Sequence, residues 1–222
     1  MKISELLGVH KGITSLAGSG GKSTLLHLLA EEAEGTVILC TSTHMRLPEK
    51  SDYPFFSSGK EDLPAALQRN GKIYLGREET GSGKMIAPDC PIENLRTFAD
   101  HVFVEADGSR GLPMKAHLPH EPAIPSGSDL VLCVLGNSCF GRPVAEVCHR
   151  PELLKKRFGV GPEEKVLPEL AAELLLSEYS FDKLFLNQCD GDYQNAEALA
   201  RLLPIPVYAG SLLRREWRLI AP

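Results

Sequence analysis

Seven consecutive residues near the N-terminus have the types and the order that bind nucleotide phosphates. They are Gly18, Ser19, Gly20, Gly21, Lys22, Ser23 and Thr24. Glycines allow the backbone to turn tightly and to direct several N–H groups into one concave surface. We expect Lys22 to reach the β- and γ-phosphates of ATP or GTP, and the Ser23 hydroxyl to ligate Mg2+. The segment therefore predicts a phosphate-binding loop for a nucleoside triphosphate with Mg2+.

The loop is shorter than the usual G-x-x-x-x-G-K-[ST] pattern. That pattern would place a glycine at position 16, where this chain has Leu16, and the loop begins only at Gly18. Mur-type amide ligases have a loop of this length. Deviant P-loop ATPases carry a signature lysine that would fall at Ala17, so the sequence disfavours that subgroup. The alternative interpretation is a glycine turn that only tightens a β–α connection.

An apolar run at residues 101–104 ends in two carboxylates, Glu105 and Asp107. Residues two apart on a strand share a face, so both side chains are expected at the carboxyl end of the strand, where open α/β sheets bind ligands. We predict that Glu105 and Asp107 are catalytic, with Asp107 as a second magnesium ligand and the other carboxylate placing an attacking water. An ordinary Asp-Gly turn is the alternative.

The segment NQCD follows a later apolar run and resembles the N-K-x-D motif with which GTPases read guanine. It provides Asn187 and Asp190, but Gln188 stands where that motif has lysine. GTP is therefore plausible alongside ATP, and a turn after a strand is the alternative.

Two further segments supply polar and cationic side chains. One contains Thr43 and His44, and the other, residues 107–125, is rich in proline and contains Arg110, Lys115, His117, His120 and Glu121. A long ordered loop of this kind is usually functional, and its cations suit an anionic ligand. We predict that these residues, apart from His117, form a substrate or client loop. Metal binding by His117, His120 and Glu121 is an alternative, and a solvated proline loop is another.

Short apolar runs alternate with helical patterns along the chain. The predicted strands cover residues 11–17, 36–41, 100–106, 129–135, 183–186 and 206–209, the last strand of the chain. The predicted helices cover residues 22–34, 163–176 and 193–203. This alternation predicts an α/β fold with a doubly wound, mainly parallel sheet of P-loop NTPase type. Residues 1–222 are expected to form one domain, with a small β-rich insertion at about residues 54–90.

Composition narrows the functional classes. The net charge is −5 and no basic block stands out, so we expect no nucleic-acid partner. No run approaches the length of a membrane span and no signal peptide is evident, so we expect a cytoplasmic protein without a membrane partner. The six cysteines are scattered without a C-x-x-C pair, which disfavours zinc. A selenium or sulfur carrier role for Cys139 is a minor hypothesis.

Taken together, the motifs GSGGKST, TSTHM, EADGSRGLPMK, HEPAIP, CHRPE and NQCD resemble the YqeC family of selenium-dependent hydroxylase accessory proteins. The resemblance covers nearly the whole chain, and its most specific part is the EADGSR…K…HEPAIP block. It implies a role in maturing selenium-dependent molybdenum hydroxylases, with a client hydroxylase or a molybdenum-cofactor-like ligand as partner. The activity is then expected to be Mg-dependent NTP hydrolysis. A kinase or ligase that acts on a small anionic cofactor or its precursor is the alternative.

Overall fold

The computed structural model of the chain describes residues 1–49, 53–57, 62–178 and 180–222. The α-helices are α1 (Ile3–Leu6), α2 (Lys22–Glu32), α3 (Leu63–Asn70), α4 (Val144–Val147), α5 (Pro151–Phe158), α6 (Pro168–Glu178) and α7 (Gln194–Leu202). The strands are β1 (Gly12–Gly18), β2 (Val37–Thr41), β3 (His44–Arg46), β4 (Phe55–Ser57), β5 (Lys72–Glu79), β6 (Lys84–Ile86), β7 (His101–Glu105), β8 (Met114–Lys115), β9 (Leu130–Gly136), β10 (Cys148–His149), β11 (Lys183–Asn187), β12 (Val207–Ser211) and β13 (Glu216–Ala221). Two 3-10 helices cover Ile92–Thr97 and Asn137–Cys139. The fold class is α/β, as predicted, with mostly parallel strand pairs.

The chain divides into two compact units. The first comprises Met1–Leu16, Leu25–Gly108 and Ala123–Leu130, and the second comprises Ala17–Thr24, Ser109–Pro122 and Val131–Pro222. Strand β1 and helix α2 each contribute residues to both units. The expectation of one domain over the whole chain stays a prediction.

In the first unit, β7 pairs in parallel with both β1 and β2. Strand β5 continues the sheet as a parallel neighbour of β2, and the short strands β6 and β3 follow in antiparallel pairing. Its apolar core includes Ile13, Ile38, Val102 and Val104. The β-rich segment expected at about 54–90 thus extends this sheet beyond β2, and its described residues include the helix α3.

In the second unit, β11 lies between β9 and β12 in parallel pairing, and β13 adds an antiparallel strand to β12. Strands β8 and β10 form a separate parallel pair, with Lys115 opposite His149. Side chains of α4, α6, α7 and these strands share one apolar core.

Three predictions about the bounds or the order of secondary-structure elements were wrong. The strand expected at 206–209 is β12, but it is not the last strand, because β13 follows it. The helix expected to start at residue 163 begins at Pro168, a residue suited to the first turn because it has no N–H to leave unpaired. Helix α2 ends at Glu32, two residues earlier than expected. In the part of the chain that the structure describes, no helix is both long enough and apolar enough to cross a membrane.

Candidate functional site

The predicted phosphate loop connects the end of β1 to the start of α2. Gly20 and Gly21 have φ angles of 87° and 139°, which L side chains rarely adopt. A Cβ on Gly20 would also lie 2.5 Å from the backbone nitrogen of Gly136. Lys22 opens the helix and is buried, and its Nζ donates to the Gly18 carbonyl at 2.7 Å. The lysine thus folds back over the glycine turn.

A second segment of the same unit lies beside this loop. The Ser19 hydroxyl donates to the Leu112 carbonyl, and Lys22 Nζ is 3.4 Å from the Ser109 hydroxyl oxygen. The Pro113 carbonyl accepts from the Gly136 N–H at 2.9 Å. The segment that follows the DG pair is therefore tied to the loop through Ser19 and Lys22.

Asn187 braces the phosphate loop. Its side-chain amide donates to the Gly20 carbonyl at 2.8 Å, and its Oδ1 accepts from the Leu212 N–H at 3.0 Å. The side chain is buried. The sequence assigned Asn187 to base recognition, whereas these contacts position the loop and link it to the residue after β12.

The other residues of the NQCD segment face different partners. Gln188, at the position of the GTPase lysine, accepts from the Ser138 hydroxyl at 2.6 Å. Asp190 is exposed, and its Oδ1 lies 3.2 Å from Nε of Arg214 in the turn between β12 and β13. The predicted guanine-reading carboxylate is thus accessible, and its role stays a prediction.

The two predicted catalytic carboxylates belong to the first unit. Glu105 is the last residue of β7, and Asp107 follows two residues later; both are buried. The Thr41 hydroxyl donates to the Glu105 carbonyl at 2.7 Å, and the Ser42 N–H donates to the same oxygen at 3.2 Å. The ends of β2 and β7 are therefore joined. The catalytic role of this pair stays a prediction.

Thr43 and His44 follow β2 in the same unit. The Thr43 N–H donates to the Thr41 hydroxyl at 3.1 Å, which closes a tight turn. His44 starts β3 and is exposed, with Nε2 3.3 Å from the Glu79 carboxylate. Both residues stay predicted members of a substrate or client loop.

In the second unit, the proline-rich segment centres on Glu121. The Arg150 guanidinium donates to both oxygens of this carboxylate, and Lys115 Nζ lies 3.3 Å from one of them. The Lys115 side chain has no exposed surface, whereas Glu121 is 15% exposed. Burial alone would raise the pKa of Glu121, but Arg150, Lys115 and the Leu118 N–H together lower it to about 2.

His149 and Arg110 are two further residues considered together with Glu121, Lys115 and Arg150. We refer to Arg110, Lys115, Glu121, His149 and Arg150 as the cation cluster. His149 lies opposite Lys115 in the β8–β10 pair, and its buried Nδ1 has no hydrogen-bond partner among the described residues. Burial lowers the pKa of His149, and the charges of Arg150, Lys115 and Arg110 lower it further. Arg110 is exposed at a left-handed backbone position with a φ of 53°.

His117 and His120 are not part of a metal centre. His117 is buried, and its N–H and its Nδ1 each lie 2.6 Å from the Glu178 carboxylate, which also accepts from Arg157. His120 is exposed. The described residues contain no group of three or more His, Cys, Asp or Glu side chains with the geometry of a metal site. The alternative of a metal bound by His117, His120 and Glu121 is therefore wrong.

The minor carrier hypothesis for Cys139 is also contradicted. The residue does follow β9, but it lies in a 3-10 helix and its side chain is fully buried in the core of the second unit. Burial raises the pKa of its thiol well above the usual range. A thiol that is inaccessible and protonated is a poor nucleophile.

Sequence reasoning missed several residues of these sites. Arg150 and His149 were noted only within the CHRPE motif of the family resemblance, and no role was assigned to Ser109 or Arg214. Local sequence indicates only that a helix starts after Arg150, because Pro151 suits the first helical position. Nothing local in the sequence indicates that Arg150 pairs with Glu121.

Comparison with known proteins gives two matches. Residues 14–152 match the family described as "YqeC protein". The "Uncharacterized protein YqeC" of Escherichia coli (strain K12) is 32% identical over 219 residues, which covers 88% of this chain and 85% of that protein. No solved structure matches the chain. On the extent of both matches, the chain belongs to the YqeC family.

Proposed function

We propose that the protein binds a nucleoside triphosphate, ATP or GTP, with Mg2+ through the loop at residues 18–24. The observation that carries the proposal is Lys22, a buried lysine at the start of α2 whose Nζ lies over a turn of glycines with positive φ. A helix start and a glycine turn both direct N–H groups toward an anion, and the lysine adds the charge that phosphates need. Within this proposal the fold is a doubly wound sheet of P-loop NTPase type.

Substitution of the lysine tests this proposal. Lys22→Ala is expected to weaken binding of a fluorescent ATP or GTP analogue by roughly tenfold to more than a hundredfold, because a charge-assisted contact is lost. Lys156→Ala removes an exposed lysine from α5 and is the matched control. Circular dichroism checks that both variants fold. Parental affinity in the Lys22 variant would refute the proposal.

We further propose that the bound nucleotide is hydrolysed, with Glu105 and Asp107 as catalytic residues and with Ser23 and Asp107 as magnesium ligands. Glu105→Gln and Asp107→Asn are each expected to lower Mg-dependent phosphate release more than nucleotide affinity. Glu78→Gln, which changes an exposed glutamate of β5, provides the control. Parental turnover in both test variants would show that the two carboxylates only complete a turn.

The choice of base depends on Asp190 in this proposal. A carboxylate accepts from guanine N1–H and the exocyclic amine, so Asp190→Asn is expected to weaken GTP binding by roughly tenfold or more. Xanthine carries an oxygen in place of that amine, so the variant is expected to gain affinity for xanthosine triphosphate, and ATP binding serves as the internal control. Equal ATP and GTP binding that the substitution leaves unchanged would remove Asp190 from base recognition.

The cellular role in this proposal is that of a cytoplasmic accessory factor in the maturation of selenium-dependent molybdenum hydroxylases. Its support is the family resemblance, with a client hydroxylase or a molybdenum-cofactor-like ligand as partner. A kinase or ligase that acts on a small anionic cofactor is the second candidate, and the cation cluster favours it. Product analysis after incubation with nucleotide separates the two, because only the second yields a phosphorylated or ligated small molecule.

A further inference from the structure

The turn between β12 and β13 borders the phosphate loop at its first residue, Leu212. The Leu212 N–H donates to Asn187 Oδ1 at 3.0 Å, and the amide of the same asparagine donates to the Gly20 carbonyl at 2.8 Å. A Cβ on Gly21 would lie 3.3 Å from Leu212 Cδ1. The start of this turn is therefore packed against the loop at residues 18–24.

Two residues later, the same turn contacts the carboxylate predicted to read the base. Arg214 Nε lies 3.2 Å from Asp190 Oδ1, and both side chains are more than half exposed, at 59% and 52%. A carboxylate can accept several hydrogen bonds. Asp190 can therefore keep its contact with Arg214 and still accept from the polar edge of a base.

Leu213 lies between these two residues, and its side chain is 88% exposed. A single exposed leucine is ordinary on a protein surface, but the position of this one is informative. The residue before it packs against the phosphate loop, and the residue after it pairs with Asp190. Ligand sites combine apolar surface with a few polar groups that fix orientation. A nucleobase has the matching form, because it has a flat face that stacks and a polar edge.

We propose that this turn is the nucleobase subsite of the nucleotide whose phosphates bind at residues 18–24. Leu213 packs on the flat face of the base, and Asp190, held by Arg214, meets the polar edge. Apolar contact with a ring face does not distinguish adenine from guanine, so Leu213 contributes to the binding of both nucleotides. The subsite rests on the proposed function, because it requires the phosphates to be bound in the loop.

The test compares ligands that have a base with one that lacks it. Isothermal titration calorimetry in the presence of Mg2+ measures the dissociation constants of ATP, GTP and inorganic tripolyphosphate. The proteins are the parent chain, Leu213→Ser, Leu213→Phe and the control Leu176→Ser. Leu176 is a 52% exposed leucine of α6 in the same unit. Circular dichroism checks that every variant folds.

Leu213→Ser is expected to raise the dissociation constants of ATP and GTP by roughly tenfold, because apolar contact with the base is lost. Tripolyphosphate has no base, so its dissociation constant is expected to stay at the parental value. Leu213→Phe keeps an apolar side chain at this position and is expected to bind all three ligands like the parent, as is Leu176→Ser.

Three results would overturn the subsite while phosphate binding at residues 18–24 still stands. They are parental nucleotide affinity in Leu213→Ser, an equal loss of tripolyphosphate affinity in that variant, and a loss in Leu213→Phe as large as in Leu213→Ser. Failure of the parent chain to bind any of the three ligands would instead refute the proposed function, and the subsite with it.

Discussion

Two glutamates of the second unit, Glu178 and Glu121, have side chains with little exposed surface but differ in their cationic partners. Glu178 is 2% exposed, and its partners are one arginine, Arg157, and the N–H and imidazole of His117. Glu121 is 15% exposed and shares its charge between Lys115 and Arg150.

Both glutamates join the proline-rich segment to residues later in the chain. They differ in the number of cationic side chains that contact each carboxylate. Around Glu178, one carboxylate meets one permanent cation, and both of its oxygens accept hydrogen bonds. Around Glu121, two permanent cations, Lys115 and Arg150, contact the same carboxylate, and the buried Nδ1 of His149 has no hydrogen-bond partner among the described residues. The two carboxylates thus hold the same proline-rich segment with different numbers of cationic partners.

Glu178→Gln is expected to have the largest effect on the free energy of unfolding. Removing one partner from a buried ion pair leaves an uncompensated charge, so the variant is expected to lose roughly 3 kcal/mol of unfolding free energy. Urea unfolding followed by circular dichroism measures this loss. Glu173→Gln, at an exposed position of the same helix, is expected to change stability by less than about 0.5 kcal/mol. A loss in Glu178→Gln no larger than in this control would contradict the structural role of Glu178.

Glu121→Gln is expected to lower the free energy of unfolding by a smaller amount, which depends on pH. The pKa of Glu121 is about 2 in the folded chain, whereas the ordinary value for a glutamate in an unfolded chain is near 4.5. A lowered pKa stabilises the folded state above pH 4.5, and this contribution is lost as the pH falls toward 2.

The contribution is on the order of 2 kcal/mol, because Glu121 is partly exposed and solvent weakens its contacts. Unfolding free energies measured from pH 6 to pH 2.5 are expected to fall less steeply in Glu121→Gln than in the parent. Parallel pH profiles for the two proteins would show that Glu121 is not held ionised by its cations.

Much of the candidate site could be read from local sequence. The glycines and Lys22 were predicted because a strand, a glycine turn and a helix follow one another within a short stretch, and each is a local pattern. Glu105 and Asp107 were predicted at a strand end for the same reason. Their chemical roles stay predictions, because the residue types alone do not specify a reaction.

Local sequence was enough to predict the alternation of strands and helices and to identify the residue types available for chemistry. Period and composition are properties of neighbouring residues, so they can be read without the fold. The tertiary structure alone decided that β7 lies between β1 and β2, and that β13 follows β12.

The tertiary structure also decided which charges meet. Lys115 and His149 are far apart in the chain and become neighbours only because β8 pairs with β10. His117, two residues after Lys115, takes a different carboxylate, Glu178. Such pairings depend on contacts between segments that are distant in the chain. Their free energy comes from burial of both segments together, so it cannot be predicted from either segment alone. For that reason the contacts of His149 and Arg150 with this segment became visible only in the folded chain.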